Sequence, residues 1–140
     1  MRAGTVGSVM TPFPFSIEGG ERLSRARALM REHDIRHLAV TENGALVGVI
    51  SERDIGLAAG PDPIPEAEDV AIRAIAVVDA YVVSLDASLQ EVLFAMADRR
   101  IGSVLVTRRD KLVGIFTATD ACRCFAEHLR ARSPSGGEAA

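Results

Sequence analysis

Two short stretches of the chain carry the same polar pattern. Ser51-Glu52-Arg53-Asp54 and Thr117-Ala118-Thr119-Asp120 each set a hydroxyl three residues ahead of an aspartate, directly after an aliphatic run, and stand 66 residues apart. Residues that leave a strand and enter a helix lie beside unpaired amides with partial positive charge, which can hold phosphate oxygens. The aspartate would repel that phosphate. Its fitting partner is a group with hydroxyls to donate, since one carboxylate can accept from two of them. The same residue types are also the preferred helix N-caps, and capping alone accounts for either stretch taken singly. Recurrence in register is what points beyond capping.

Other chemistries lack the residues. His33, His37 and His128 stand at no metal-ligand spacing with Cys, Asp or Glu. The sequence has no Ser-His-Asp or Cys-His constellation, no P-loop and no Gly-x-Gly-x-x-Gly run. The expectation is a protein that is not an enzyme and requires no metal or cofactor. Cys122 and Cys124, two residues apart, read as small hydrophobes and not as a disulfide framework. A net charge of −3 over 140 residues opposes a nucleic-acid binder held by a basic surface, and one Tyr, five Phe and no Trp make a poor base-stacking platform. Arg22, Arg25, Arg27 and Arg31 recur at helical spacing among acidic neighbours and read as a solvated face. With 48% hydrophobic and 25% charged residues, the composition is that of a globular protein with an aliphatic core. Residues 1–17 carry no secretory pattern, and no apolar run nears the roughly 18 residues a membrane helix needs. The cytoplasm is therefore the expected location, with no membrane partner.

The elements that must position the two polar stretches are themselves repeated. Leu46-Val47-Gly48-Val49-Ile50-Ser51-Glu52-Arg53-Asp54 returns as Leu112-Val113-Gly114-Ile115-Phe116-Thr117-Ala118-Thr119-Asp120, and the same offset pairs Leu23 with Leu89, Met30 with Met96, Ile35 with Ile101 and Val40 with Val106. In the second copy Ser88-Leu89-Gln90-Glu91 has the form of a capping box, and Leu89, Val92, Leu93 and Met96 follow at helical spacing, which predicts a helix over 89–99. Its counterpart around Leu23, Ala26, Leu29 and Met30 has Arg22 in place of the cap. Hairpins follow, over His37–Thr41 with Leu46–Ser51 and over Ser103–Thr107 with Leu112–Thr117, the first with Asn43-Gly44 at its turn. Helices are expected from Asp54 to Ala59 and from Asp120 to about Arg132, and extended segments Phe13–Ile17 and Tyr81–Leu85 precede the first helix of each copy. Each copy thus reads β-α-β-β-α. The sequence divides into a first motif over 1–60, a Pro-rich acidic connector over 61–69, a second motif over 70–132 and a disordered tail over 133–140.

Val6-Gly7-Ser8-Val9-Met10-Thr11-Pro12, the Leu23–Met30 helix, Asp34-Ile35-Arg36-His37-Leu38-Ala39-Val40 and Leu46–Asp54 together resemble a CBS domain, the motif of cystathionine β-synthase. The second copy resembles another, so nearly the whole chain is similar to the stand-alone tandem CBS proteins of prokaryotes. The resemblance implies an α+β fold, two β-α-β-β-α units packed about a pseudo-two-fold axis with clefts between them, and a disk-shaped homodimer. It implies adenosine-containing ligands: AMP, ADP or ATP foremost, then NAD or S-adenosylmethionine. In the family pattern Gly-x-x-Thr/Ser-x-x-Asp the aspartate takes the ribose, which falls here on Asp54 and Asp120, and the hydroxyls approach phosphate, which falls on Ser51, Thr117 and Thr119. Arg53 departs from that pattern by putting a cation where a small hydroxyl belongs, and Glu52 adds an unhelpful charge.

The resemblance also assigns phosphate contact to Arg36-His37, whose counterparts Gly102-Ser103 have no cation, so the two sites are expected to be unequal. An apolar slot for adenine falls on Thr11, Pro12 and Phe13 in the first copy and on Val77, Val78 and Ala80 in the second, where Ala76 replaces Met10. The functional expectation is a non-catalytic energy or stress sensor with an adenine nucleotide as regulatory ligand, signalling to an effector protein the sequence does not name. The competing reading is a dimerising interaction scaffold without a ligand.

Overall fold

The computed structural model of the chain describes residues 4–12, 15–76 and 80–132. In chain order the strands and helices are β1 (Thr11–Pro12), β2 (Ser16–Glu18), α1 (Leu23–His33), β3 (His37–Glu42), β4 (Ala45–Ser51), α2 (Glu52–Ala59), β5 (Val82–Ser84), α3 (Leu89–Arg99), β6 (Ser103–Arg108), β7 (Lys111–Thr117) and α4 (Ala118–Arg132). The β-α-β-β-α order recurs as expected, as β2-α1-β3-β4-α2 and β5-α3-β6-β7-α4. The tail expected over 133–140 lies outside the described residues.

By contact the chain forms two units, residues 14–80 in the first and 1–13 with 81–140 in the second. The sheet of the first unit runs β2-β3-β4, with β2 parallel to β3 and β3 antiparallel to β4. Asn43 and Gly44 at its hairpin turn both have positive φ, which these residue types tolerate. The sheet of the second unit runs β1-β7-β6-β5, with β5 parallel to β6 and the other pairs antiparallel. Both hairpins carry a bulge at the matching place, between Val40 and Thr41 and between Val106 and Thr107.

The repeat read from sequence and the units formed by contact do not divide the chain at the same places, because each repeat gives its leading segment to the other unit. The one-turn helix Val6–Ser8 belongs to the first repeat, yet Val6 and Gly7 donate to the carbonyls of Ala87 and Leu85, and Val6, fully buried, packs with Val92, Met96, Val104, Val106 and Phe116. Its counterpart Ile72–Ala74 does the reverse. Ile72 and Arg73 donate to the carbonyls of Glu21 and Gly19, and Ile72 is fully buried among Ile17, Leu23, Met30, Leu38, Val40, Ile50 and Ile55. Each half lacks one core side chain of its own and takes it from sequence 66 residues away.

The connector has a second use. The side chain of Arg22 makes no cap bond at the start of α1, and the missing acceptor comes from Asp69, whose carboxylate takes the Ser24 N–H at 2.9 Å and the Ser24 hydroxyl at 2.6 Å. Part of the arginine stripe is likewise tied down. Arg22 donates to the Asp69 carbonyl at 3.2 Å, and Arg27 donates to the carbonyls of Asp62, at 2.8 Å, and Gly60.

Candidate functional site

Both polar stretches sit where a strand runs straight into a helix, at β4–α2 and β7–α4. The helices begin two residues before the aspartates, at Glu52 and Ala118, because Ser51 and Thr117 act as the caps and place Asp54 and Asp120 in the first turn. In the first unit this is a complete capping box: the Asp54 N–H donates to Ser51 Oγ at 3.0 Å, and the Ser51 N–H donates to Asp54 Oδ2 at 2.9 Å. The second unit repeats it, with Asp120 N–H to Thr117 Oγ1 at 3.3 Å and Thr117 N–H to Asp120 Oδ2 at 2.9 Å. Capping therefore accounts for one oxygen of each carboxylate.

The structure gathers Arg36, His37, Ser51 and Asp54 at one end of the first unit, while Arg53, next to Asp54 in α2, lines a cavity toward α1. His37 faces Ser51 across the β3–β4 ladder, and the Arg36 carbonyl accepts the Glu52 N–H at 2.8 Å, which seats the end of β3 against the start of α2. His37 is half-buried. Burial holds its imidazole below the usual histidine range; the Asp54 charge pulls the other way and the Arg36 charge adds to the lowering. Arg36 and Arg53 are exposed.

The second unit brings together Thr11, Thr117 and Asp120. Thr11, expected in an apolar slot, instead directs its hydroxyl onto the Asp120 carboxylate, 3.3 Å from Oδ1 and 3.5 Å from Oδ2. β1 reaches this place because it pairs with β7 beside Gly114, where a Cβ would come within 2.9 Å of the Thr11 carbonyl oxygen. Pro12 is exposed in the same strand and Thr119 is exposed on α4. Arg123, which the sequence reading passed over, donates to Asp120 Oδ1 at 3.4 Å; its i,i+3 spacing on a helix was the available signal. Ala80 is half-buried, and Phe13, Val77 and Val78 lie outside the described residues.

A cavity of about 540 Å³ lies between α1 and α2 of the first unit, with Arg27, Arg31, Glu52 and Arg53 over Met30 and Ile55. It shares Glu52 and Arg53 with the strand–helix junction but reaches neither Ser51 nor Asp54. The described residues contain no group of three or more His, Cys, Asp or Glu able to hold a metal, and no helix among them is long and apolar enough to cross a membrane. Burial, with the charges of Asp120 and Glu127, pushes the Cys124 thiol up, which keeps it protonated and weakly nucleophilic.

The family model described as CBS domain matches the chain twice, over residues 6–57 and 67–127. The chain belongs to the CBS domain family, whose tandem motifs are regulatory and not catalytic modules. It is 40% identical over 113 residues to Hypoxic response protein 1 of Mycobacterium tuberculosis, covering 77% of this chain and 76% of that one. The crystal structure of Hypoxic Response Protein I with two coordinated zinc ions superposes with a TM-score of 0.68 at 34% identity, over 85% of this chain and 97% of that one. The CBS domain pair of protein MJ0100, solved with 5′-methylthioadenosine and S-adenosylmethionine, superposes with a TM-score of 0.77 at 25% identity, over 89% of this chain and 97% of that one.

Proposed function

We propose that this chain is a regulatory module that binds an adenosine-containing molecule, with AMP, ADP or ATP foremost and NAD or S-adenosylmethionine as alternatives. The observation that carries this reading is the β4–α2 junction, where the Asp54 carboxylate stands at a helix N-terminus with His37 and Arg36 close by, in a fold whose relative holds two adenosine compounds. The carboxylate suits the ribose hydroxyls, the exposed guanidinium groups suit phosphate, and the helix amides add partial positive charge. Energy or stress sensing in the cytoplasm, where such nucleotides are made, is the role this chemistry fits. The bound molecule transmits a signal by binding one arrangement of the protein better than another, to a separate effector or a second copy.

Self-association is supported by large apolar side chains left in solvent on the helices, with Leu57 79%, Phe94 62%, Phe125 63% and Leu129 53% exposed. The same observation favours the second reading, a dimerising scaffold without a ligand. A thermal-shift screen of AMP, ADP, ATP, NAD and S-adenosylmethionine separates the two. Stabilisation by at least one compound, weakened about ten- to a hundredfold in Asp54→Ala, is expected for the sensor. Failure of every compound at millimolar concentration overturns the sensor and leaves the scaffold.

A further inference from the structure

The two strand-to-helix junctions are equivalent in the repeat but not in what reaches their aspartates. Asp120 is 6% exposed, and its carboxylate accepts from the Thr117 N–H at 2.9 Å, the Thr117 hydroxyl at 3.1 Å, the Thr11 hydroxyl at 3.3 Å and Arg123 at 3.4 Å. A carboxylate offers about four lone-pair positions, so these donors fill it. Asp54 is half-buried and accepts the Ser51 N–H on Oδ2, while Oδ1 has no donor among the described residues. The difference is written in the sequence. The residue 66 before Arg123 is Leu57 and the residue 66 after Thr11 is Val77, and neither side chain can donate.

Ligand hydroxyls arriving at Asp120 would have to displace Thr11 and Arg123, replacing hydrogen bonds already made inside the protein. The same hydroxyls arriving at Asp54 find Oδ1, which no described residue engages. The cations follow the same division, since Arg36 and His37 flank Asp54 while their counterparts are Gly102 and Ser103. We infer that Asp120 is a positioning residue that fastens the amino-terminal segment to α4, and that Asp54 alone accepts ligand hydroxyls, so each chain takes one adenosine-containing molecule. The ligand half of this inference rests on the function proposed above; the fastening half does not.

The test uses the full chain with AMP and 2′,3′-dideoxyadenosine 5′-monophosphate, which lacks the ribose diol, in isothermal titration calorimetry. Wild type is expected to bind one AMP per chain and the dideoxy compound about tenfold more weakly. Asp54→Asn should erase that preference. Asp120→Asn should keep the stoichiometry and hold the Kd within about threefold, a change too small for a lost charged hydrogen bond, while its melting temperature falls by several degrees. Thr11→Val should lower the melting temperature too, and cost little more when added to Asp120→Asn, because the two share one interaction. Two AMP bound per chain, or Asp120→Asn weakening AMP as much as Asp54→Asn, would overturn the assignment. Should wild type bind neither nucleotide, the proposed function and the role of Asp54 fall together. The thermal cycle then decides the fastening role: coupled losses for Thr11 and Asp120 uphold it, and additive losses overturn it.

Discussion

Truncating Ile72 to alanine should unfold a part of the molecule to which its own repeat does not belong. Ile72 lies in the second repeat by sequence, but its side chain is fully buried in the core of the first unit against Leu23, Leu38 and Ile50. Isoleucine-to-alanine changes at such sites cost about 2–5 kcal/mol, the transfer term plus the cavity left behind. The backbone bond from the Ile72 N–H to the Glu21 carbonyl, 2.8 Å, survives the change and limits collapse of the site, so a value near the middle, about 3 kcal/mol, is expected. For a chain of this size that lowers the melting temperature by roughly 10 °C. Hydrogen-exchange mass spectrometry locates the damage: protection should fall in residues 15–59 and stay near wild type in 89–117. Loss of protection concentrated in the second span, or a cost below about 1 kcal/mol, would refute the exchange of segments.

Gly114→Ala should destabilise the second unit and loosen residues 10–12, because its Cβ would be driven against the Thr11 carbonyl; hydrogen exchange in β1 and β7 reads this directly. Asp69→Ala removes the acceptor that caps α1 and should cost about 1 kcal/mol in chemical denaturation. The Ser24 hydroxyl and N–H hold the Asp69 carboxyl below its ordinary 3.8, so this contribution is present above that pH and is lost as pH falls below it. His37 behaves in the same sense. Its folded-state pKa lies below the ordinary 6.5, so the unfolded chain takes up the proton first, and stability should decline as pH drops from about 6.5 toward the folded value. His37→Gln should flatten melting temperature against pH between about 7 and 5.5, and an unchanged slope would count against the burial argument. Phe125→Glu combined with Leu129→Glu on the exposed face of α4 should shift sedimentation toward a monomer without lowering the melting temperature of the unit itself.

The repeat carried most of the fold into view. Apolar residues at helical spacing marked α1 and α3, Asn43-Gly44 marked the first hairpin turn, and the constant 66-residue offset let each copy support the reading of the other. The second hairpin turn was less legible, because Arg109 and Asp110 take positive φ without a glycine. The cap of α1 was hidden for a different reason: its acceptor comes from Asp69, 45 residues along the chain, and local pattern has no reach over that distance. The site was half legible. Ser51, Asp54, Thr117 and Asp120 stood out by type and spacing, whereas the Thr11 and Arg123 contacts to Asp120 did not.

By itself the sequence determined that the chain is one β-α-β-β-α motif twice over, that its core is aliphatic, and that a hydroxyl and a carboxylate meet at each strand-to-helix junction. These follow from periodicity and local chemistry, which act over a few residues. Only the tertiary structure decided which repeat fills which core, with Val6 and Ile72 each buried in the other half's unit, and how far each aspartate is already engaged. The physical reason is that burial and hydrogen-bond saturation are properties of neighbours brought together by folding. Two aspartates with the same local sequence pattern can end with one carboxylate filled by its own protein and the other with an oxygen that no described residue engages.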